Sequence, residues 1–152
     1  MPISLHGGAK GSARTQFAAL CWRRHEGKVQ VLVITSRRRK RWILPKGWPM
    51  DGKTPAECAL IEAWEEAGVR GKAQDVCIGV YSYARVREGE ANVPCLALLY
   101  PVKVKKLRDK FPEAKDRKRK WVSRKKAAKM VDNRELGKLI KGFTPPRQPT
   151  PA

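Results

Sequence analysis

The sequence predicts a single α/β domain whose strands are joined largely as hairpins. Three observations predict it. A chain of 152 residues is long enough for one core that buries roughly 70% of its extended surface. Stretches rich in Val, Ile, Leu and Tyr alternate with polar, Gly-containing turns, which is the pattern of paired strands. One helix, finally, carries both start and stop signals.

Taken in order, residues 16–22 and 29–35 read as two strands around RRHEGK, with Gly27 supplying the turn. The basic loop SRRRKR follows, and residues 42–44 form a short extended piece stopped by Pro45. The helix starts at Thr54 as N-cap, with Pro55 at its first position and Glu57 completing a capping box, and Gly68 ends it. Ala56, Ala59, Leu60, Ala63 and Ala67 give it a small-residue face suited to close packing. Residues 76–86 and 93–104 read as longer strands around REGEAN, and Trp121 and Val122 as one more short strand. Helices over 124–131 and 134–140 close the domain. Residues 1–14, rich in Gly, Ser and basic side chains, are expected to be disordered, as is the Pro-rich tail 144–152. Order is therefore expected over 15–143.

Lys and Arg number 34 against 14 Asp and Glu, a formal charge of +20. A field of that sign attracts polyanions, so phosphate-rich partners are the first expectation and a merely solubilising charge the competing one. Cys21, Cys58, Cys77 and Cys95 show no CxxC pairing and sit in apolar or helical stretches, which predicts buried free thiols. His6 and His25 have no partnering Cys or His nearby, so a zinc site or a Ser-His-Asp triad has little to be built from. No apolar run reaches the roughly 20 residues needed to cross a membrane, and the N-terminus lacks the apolar segment of a secretory signal. A cytoplasmic protein with no membrane partner is expected.

GWPMDGKT, residues 47–54, satisfies the spelling of a phosphate-binding P-loop. A P-loop needs its Lys and Ser/Thr inside the first helical turn, however, and Pro55 pushes Thr54 out into the cap position. Pro49 removes a further N–H donor. The hairpin pattern also lacks the alternating parallel units of a P-loop domain.

The other phosphate chemistry lies further along the helix. Glu62, Glu65 and Glu66 are three acids within five residues of a strongly basic chain. At spacings of three and four they share one face, where each like-charge pair costs about 0.2–0.5 kcal/mol. In the last turn the helix dipole disfavours carboxylates by a further 0.3–1 kcal/mol or so each. A hard divalent cation with oxygen ligands compensates for such a cluster; a solvated acidic face is the alternative.

GWPMDGKTPAECALIEAWEEAGV, residues 47–69, resembles the Nudix box GX5EX7REUXEEXGU, in which U is a bulky apolar residue. Gly47, Glu62, Glu65, Glu66, Gly68 and Val69 match in register. Lys53 stands where the family has Glu, Ile61 where it has Arg, and Ala63 is small for a U position. RWILPKG, SRRRKRW and KRKWVS are similar to the branch containing diphosphoinositol polyphosphate phosphohydrolases. The losses at Lys53 and Ile61 remove opposite charges together, which is less damaging than losing one.

The resemblance implies an α/β/α sandwich with a mixed β-sheet. It also implies a Mg²⁺ or Mn²⁺ site at Glu62, Glu66 and the Gly47 carbonyl, with Glu65 or Glu62 deprotonating the attacking water. Ser36, Arg37, Arg41 and Lys46, with Arg14 as the weaker candidate, are the implied contacts for the phosphates of a polyphosphorylated small molecule. The second basic run, KDRKRKWVSRKK, suits the same anion or a separate RNA, and an RNA-binding module of little activity is the competing function. Trp121 within it reads as core. The oligomeric state is left open.

Overall fold

The computed structural model describes residues 14–85 and 93–146. Eleven elements follow one another: β1 (Arg14–His25), β2 (Lys28–Thr35), β3 (Trp42–Ile43), β4 (Lys46–Gly47), α1 (Pro55–Ala67), β5 (Val69–Ala73), β6 (Gly79–Arg85), β7 (Val93–Leu107), β8 (Arg119–Ser123), α2 (Arg124–Met130) and α3 (Arg134–Gly142).

The strands form one mixed sheet in the order β3-β2-β1-β7-β5, with β4 on β1, β6 on β7 and β8 on β2. β1 and β7 run parallel over nine residue pairs, from Arg14 opposite Cys95 to Trp22 opposite Lys103. The remaining pairings are antiparallel.

Alternation along β1 and β2 divides the core into two layers. Phe17, Ala19, Cys21, Leu32 and Ile34 pack against the alanine face of α1. Ala18, Leu20, Trp22, Val31 and Val33 point the other way, toward Ala127, Leu136 and Ile140 of α2 and α3. The result is the expected α/β/α sandwich.

α1 begins as its sequence dictates. Thr54 is extended (φ −71°, ψ 160°), its hydroxyl accepts from Glu57 N, and the Glu57 carboxylate accepts from Thr54 N at 2.9 Å. Gly68 closes the helix in the left-handed region at φ 70°, which favours glycine. The P-loop spelling is thus excluded: Gly47 lies in β4 and Thr54 outside the helix.

Several expectations need correction. β5 was not foreseen, because VRGKA has two cations and a glycine. It forms as an edge strand on β7, and a side chain at Gly71 would overlap the Lys103 backbone. β7 consequently extends to Leu107, three residues past the expected 104. β6 starts at Gly79 and not at 76, since Val76 and Cys77 are exposed in the preceding loop. Cys77 is therefore not a buried thiol; Cys21, Cys58 and Cys95 are. Arg14, assigned to the disordered N-terminus, is the first residue of β1. The turn REGEAN, residues 1–13 and residues 147–152 lie outside the described residues. No described helix is long and apolar enough to cross a membrane.

Candidate active site

The site forms where β4 lies between β1 and α1. Pro45 O accepts from Ala19 N, and Gly47 pairs with Phe17, which fixes this short strand against the sheet. Glu62 and Glu66, one turn apart on α1, face it and are buried, at 9% and 7% exposure. Lys46 N donates to Glu66 Oε1 at 3.3 Å. A side chain at Gly47 would overlap the Glu62 carboxylate, so only glycine allows the backbone this close.

The two carboxyls are hydrogen-bonded to one another, Glu62 donating. Burial, then this bond and the negative charges of Glu66, Glu65 and Glu113, push Glu62 from 4.5 up to about 8. Burial also raises Glu66, but Arg117, the bond from Glu62 and the Lys46 charge oppose it. Two buried carboxyls, both raised by burial and joined by one hydrogen bond, are a place where a proton or a cation is wanted.

A group whose folded pKa is raised stabilises the fold below its unfolded value and loses that contribution as the pH passes its folded value. Without added cation, the thermal midpoint is therefore expected to fall between about pH 6 and 8. Glu62→Gln is expected to flatten that fall. A wild-type midpoint that does not change over this interval, followed by calorimetry, contradicts the assignment.

The cation beside the pair was not foreseen. Arg117 is buried at 8% side-chain exposure, with Nη2 3.7 Å from Glu66 Oε1. Its Nε and Nη2 donate to Glu113 Oε1 at 3.2 and 3.0 Å, and Nη1 donates to Thr35 O at 3.0 Å. Sequence reasoning missed both Arg117 and Glu113, because Arg117 sits in a run of cations that looks uniformly solvated. One signal was present: α1 carries four Glu residues and no Lys or Arg. Its buried acids had to find a cation elsewhere.

Glu65 is half-exposed, and its carbonyl accepts from Glu113 N at 3.0 Å. Lys53 is exposed, and its charge bears on Glu57 at the helix start. Ile61 is half-buried.

The expected phosphate contacts divide into groups. Ser36 shapes its own loop: its N donates to Arg41 O at 2.7 Å and its Oγ accepts from Arg41 N at 3.0 Å. Arg37, 61% exposed, lies 3.7 Å from Glu113 and 3.5 Å from Asp116, and so joins the Arg117 network from outside. Arg41 pairs with Asp132 at 3.8 Å. The Lys46 ammonium is 4.9 Å from the centre of the Tyr83 ring. Arg41, Trp42, Lys46, Tyr81, Tyr83 and Asp132 line a cavity of about 170 Å³. Arg14 opens β1 opposite Cys95. Trp121 packs on the α1 side of the core with Arg23 over its ring at 4.3 Å, as its reading as core requires.

The donor set suits a hard cation. Two carboxylates and the backbone of Gly47 converge where a Cβ would not fit, and all are oxygen donors. Among the described residues no three His, Cys, Asp or Glu side chains gather as a metal cage. A cation here would therefore complete its shell with backbone oxygen, water or substrate, as Mg²⁺ commonly does.

The family model for the NUDIX domain matches residues 14–143. Nudix hydrolase 12, mitochondrial, of Arabidopsis thaliana is 33% identical over 119 residues, 76% of this chain and 59% of that protein. Human diphosphoinositol polyphosphate phosphohydrolase 3-beta is 31% identical over 116 residues, 75% of this chain and 66% of that protein. The chain spans 59%, 54% and 58% of three plant relatives it matches. In fold it resembles a C. elegans Ap4A hydrolase, with TM-score 0.60 and 20% identity over 86% of this chain and 95% of that one. It also resembles the E. coli dihydroneopterin triphosphate pyrophosphohydrolase, with TM-score 0.64 and 15% identity over 85% and 93%.

Proposed function

The chain belongs to the Nudix hydrolase family, and from that premise we propose that residues 15–143 form a metal-dependent pyrophosphohydrolase acting on highly phosphorylated small molecules. The observation that carries this reading is the buried Glu62–Glu66 pair, held against the Gly47 backbone and backed by Arg117. Glu62, Glu66 and the Gly47 carbonyl are the proposed ligands of Mg²⁺ or Mn²⁺. When bound, the cation supplies an acidified water and neutralises phosphate charge.

The chain's own residues supply the rest. Glu65, half-exposed beside the pair, is the assigned general base, with Glu62 as the alternative. Arg37, Arg41 and Lys46 surround the approach with positive charge for the phosphates, and Ser36 holds the loop that carries Arg37 and Arg41. Dinucleoside polyphosphates and diphosphoinositol polyphosphates both fit this charge. The aromatic lining of Trp42, Tyr81 and Tyr83 favours the former, because a planar base gains from such a wall and an inositol ring does not.

Gly47→Ala tests the close approach. The added methyl must displace Glu62 or β4, and a shift of about 1 Å in such a site costs on the order of 100-fold in rate. Turnover within a few-fold of wild type would show that Gly47 is not part of the site.

The function itself is tested by following phosphate and nucleotide release over a panel with Mg²⁺. The panel comprises dinucleoside polyphosphates, nucleoside triphosphates, capped RNA and inositol pyrophosphates. Turnover of the dinucleoside polyphosphates above the rest is expected. No turnover of any member, from folded protein, sinks the proposal.

A further inference from the structure

On the side of α1 away from the carboxylate pair, the chain carries a second concentration of charge that the hydrolytic site does not use. Helical residues advance about 100° each, so Trp64 stands nearly opposite Glu62 and Glu66. Beside it a groove of about 650 Å³ is lined by Trp64, Arg70, Leu107, Arg108, Asp109 and Lys110. The Arg70 guanidinium lies 3.6 Å from the Trp64 ring centre, with Arg70 exposed and Trp64 half-buried. Asp109, the carboxylate of the groove, is paired with Arg119 at 3.2 Å.

Round the edge of the sheet from this groove, β5 and the end of β7 form a ribbon of two antiparallel strands whose charges all have one sign; Val69, Val102 and Leu107 pack toward α1, so the paired cations stand on its other face. In β5 and the end of β7, Arg70 is opposite Lys106 and Lys72 opposite Lys103, and Lys105 and Arg108 extend the row. Neither VRGKA nor KVKKLR contains an acid. Like charges directly opposite across a sheet are destabilising, so this ribbon is built against its own repulsion. An anionic chain lying along it would remove that cost.

We propose that this groove and ribbon bind single-stranded RNA, independently of the hydrolytic site. Side chains on one face of a strand recur every two residues, about 6.6 Å apart, so the cations form a row along which a flexible polyanion backbone can lie. A guanidinium stacked on an indole offers a platform for an unpaired base, which duplex RNA does not present. A membrane fits less well: among the described residues the exposed large apolar side chains are Val76 and Val80, which do not line the groove.

The test is fluorescence anisotropy of a labelled unstructured RNA 12-mer with the full chain, over a range of salt concentrations. Replacing Arg70, Arg108 and Lys110 by Gln is expected to weaken binding at least about 10-fold and to lower the log–log salt slope by about 2. Lys72→Gln/Lys106→Gln, at two exposed ribbon positions, should weaken it in the same direction. A matched triple replacement of the exposed Lys125, Lys126 and Lys129 on α2 should change affinity less than about 2-fold. Glu66→Gln should bind RNA as wild type does, so loss of hydrolysis and loss of this binding are separable. The proposal is overturned if the groove variants bind like wild type, or if the α2 triple weakens binding equally. Equal affinity for duplex RNA, or groove-dependent binding to anionic phosphatidylserine vesicles in place of RNA, also overturns it.

Discussion

Glu66→Gln is expected to reduce metal-dependent hydrolysis by about 10³-fold or more while the fold survives. The magnitude follows from the several kcal/mol that a correctly held cation contributes to phosphoryl chemistry, at about 1.4 kcal/mol per decade of rate. Glutamine keeps the shape of Glu66 and can still accept from Lys46 N, but it removes one of the two buried carboxylates. Two stability effects then oppose each other. The cost of burying an ionised carboxylate at Glu66 disappears, while Arg117 loses one of its partners and keeps Glu113 and Thr35 O. A thermal midpoint within about 3 °C of wild type is expected, since 1 kcal/mol moves a domain of this size by about 2–4 °C. Near-wild-type turnover would remove Glu66 from the proposed metal site.

Arg117→Met is expected to be the most destabilising single change near the site. Methionine fills much of the volume but leaves Glu66 and Glu113 facing each other without their shared cation. Removing one member of a buried ion pair costs about 3–5 kcal/mol, and the partial exposure of Glu113 argues for the lower end. The midpoint should drop by roughly 6–12 °C, with activity falling as Glu66 loses its orientation. Arg117→Lys should rescue little, because one ammonium cannot serve Glu66, Glu113 and Thr35 O together as a guanidinium fork does. Adding Glu113→Gln to Arg117→Met should cost less than the sum of the two changes, because they share one network. Strict additivity, measured by chemical denaturation, would contradict the network.

These two expectations mark where the sequence was readable and where it was not. α1 was readable because its signals are local: Thr54, Pro55, Glu57 and Gly68 act within a turn of one another, and so do Glu62 and Glu66. The α/β/α sandwich was implied by the box resemblance alone; residues 17–22 and 31–34 are apolar throughout, so which of them face each layer is seen only in the structure. β5 escaped because its stability comes from pairing with β7, not from its own composition. Arg117 escaped for a related reason. KDRKRKWVSRKK contains eight cations, and only the pairing of β8 with β2 brings the approach to β8 under Thr35 and against α1. Burial of one cation among many is decided by tertiary contact, which a charge run does not encode. Of the box departures, Lys53 is exposed and Ile61 half-buried, while cationic support for Glu66 comes from Arg117, outside the box.

The central claim is that Glu62 and Glu66 support cation-dependent cleavage of a phosphoanhydride. Its most direct test is the initial rate of phosphate or nucleotide release from a dinucleoside polyphosphate as Mg²⁺ is titrated into chelator-treated protein. The rate is expected to start at background, rise saturably with Mg²⁺ and return to background on adding chelator. Hydrolysis that proceeds at full rate in chelator, or that never rises above background at saturating Mg²⁺, would contradict it.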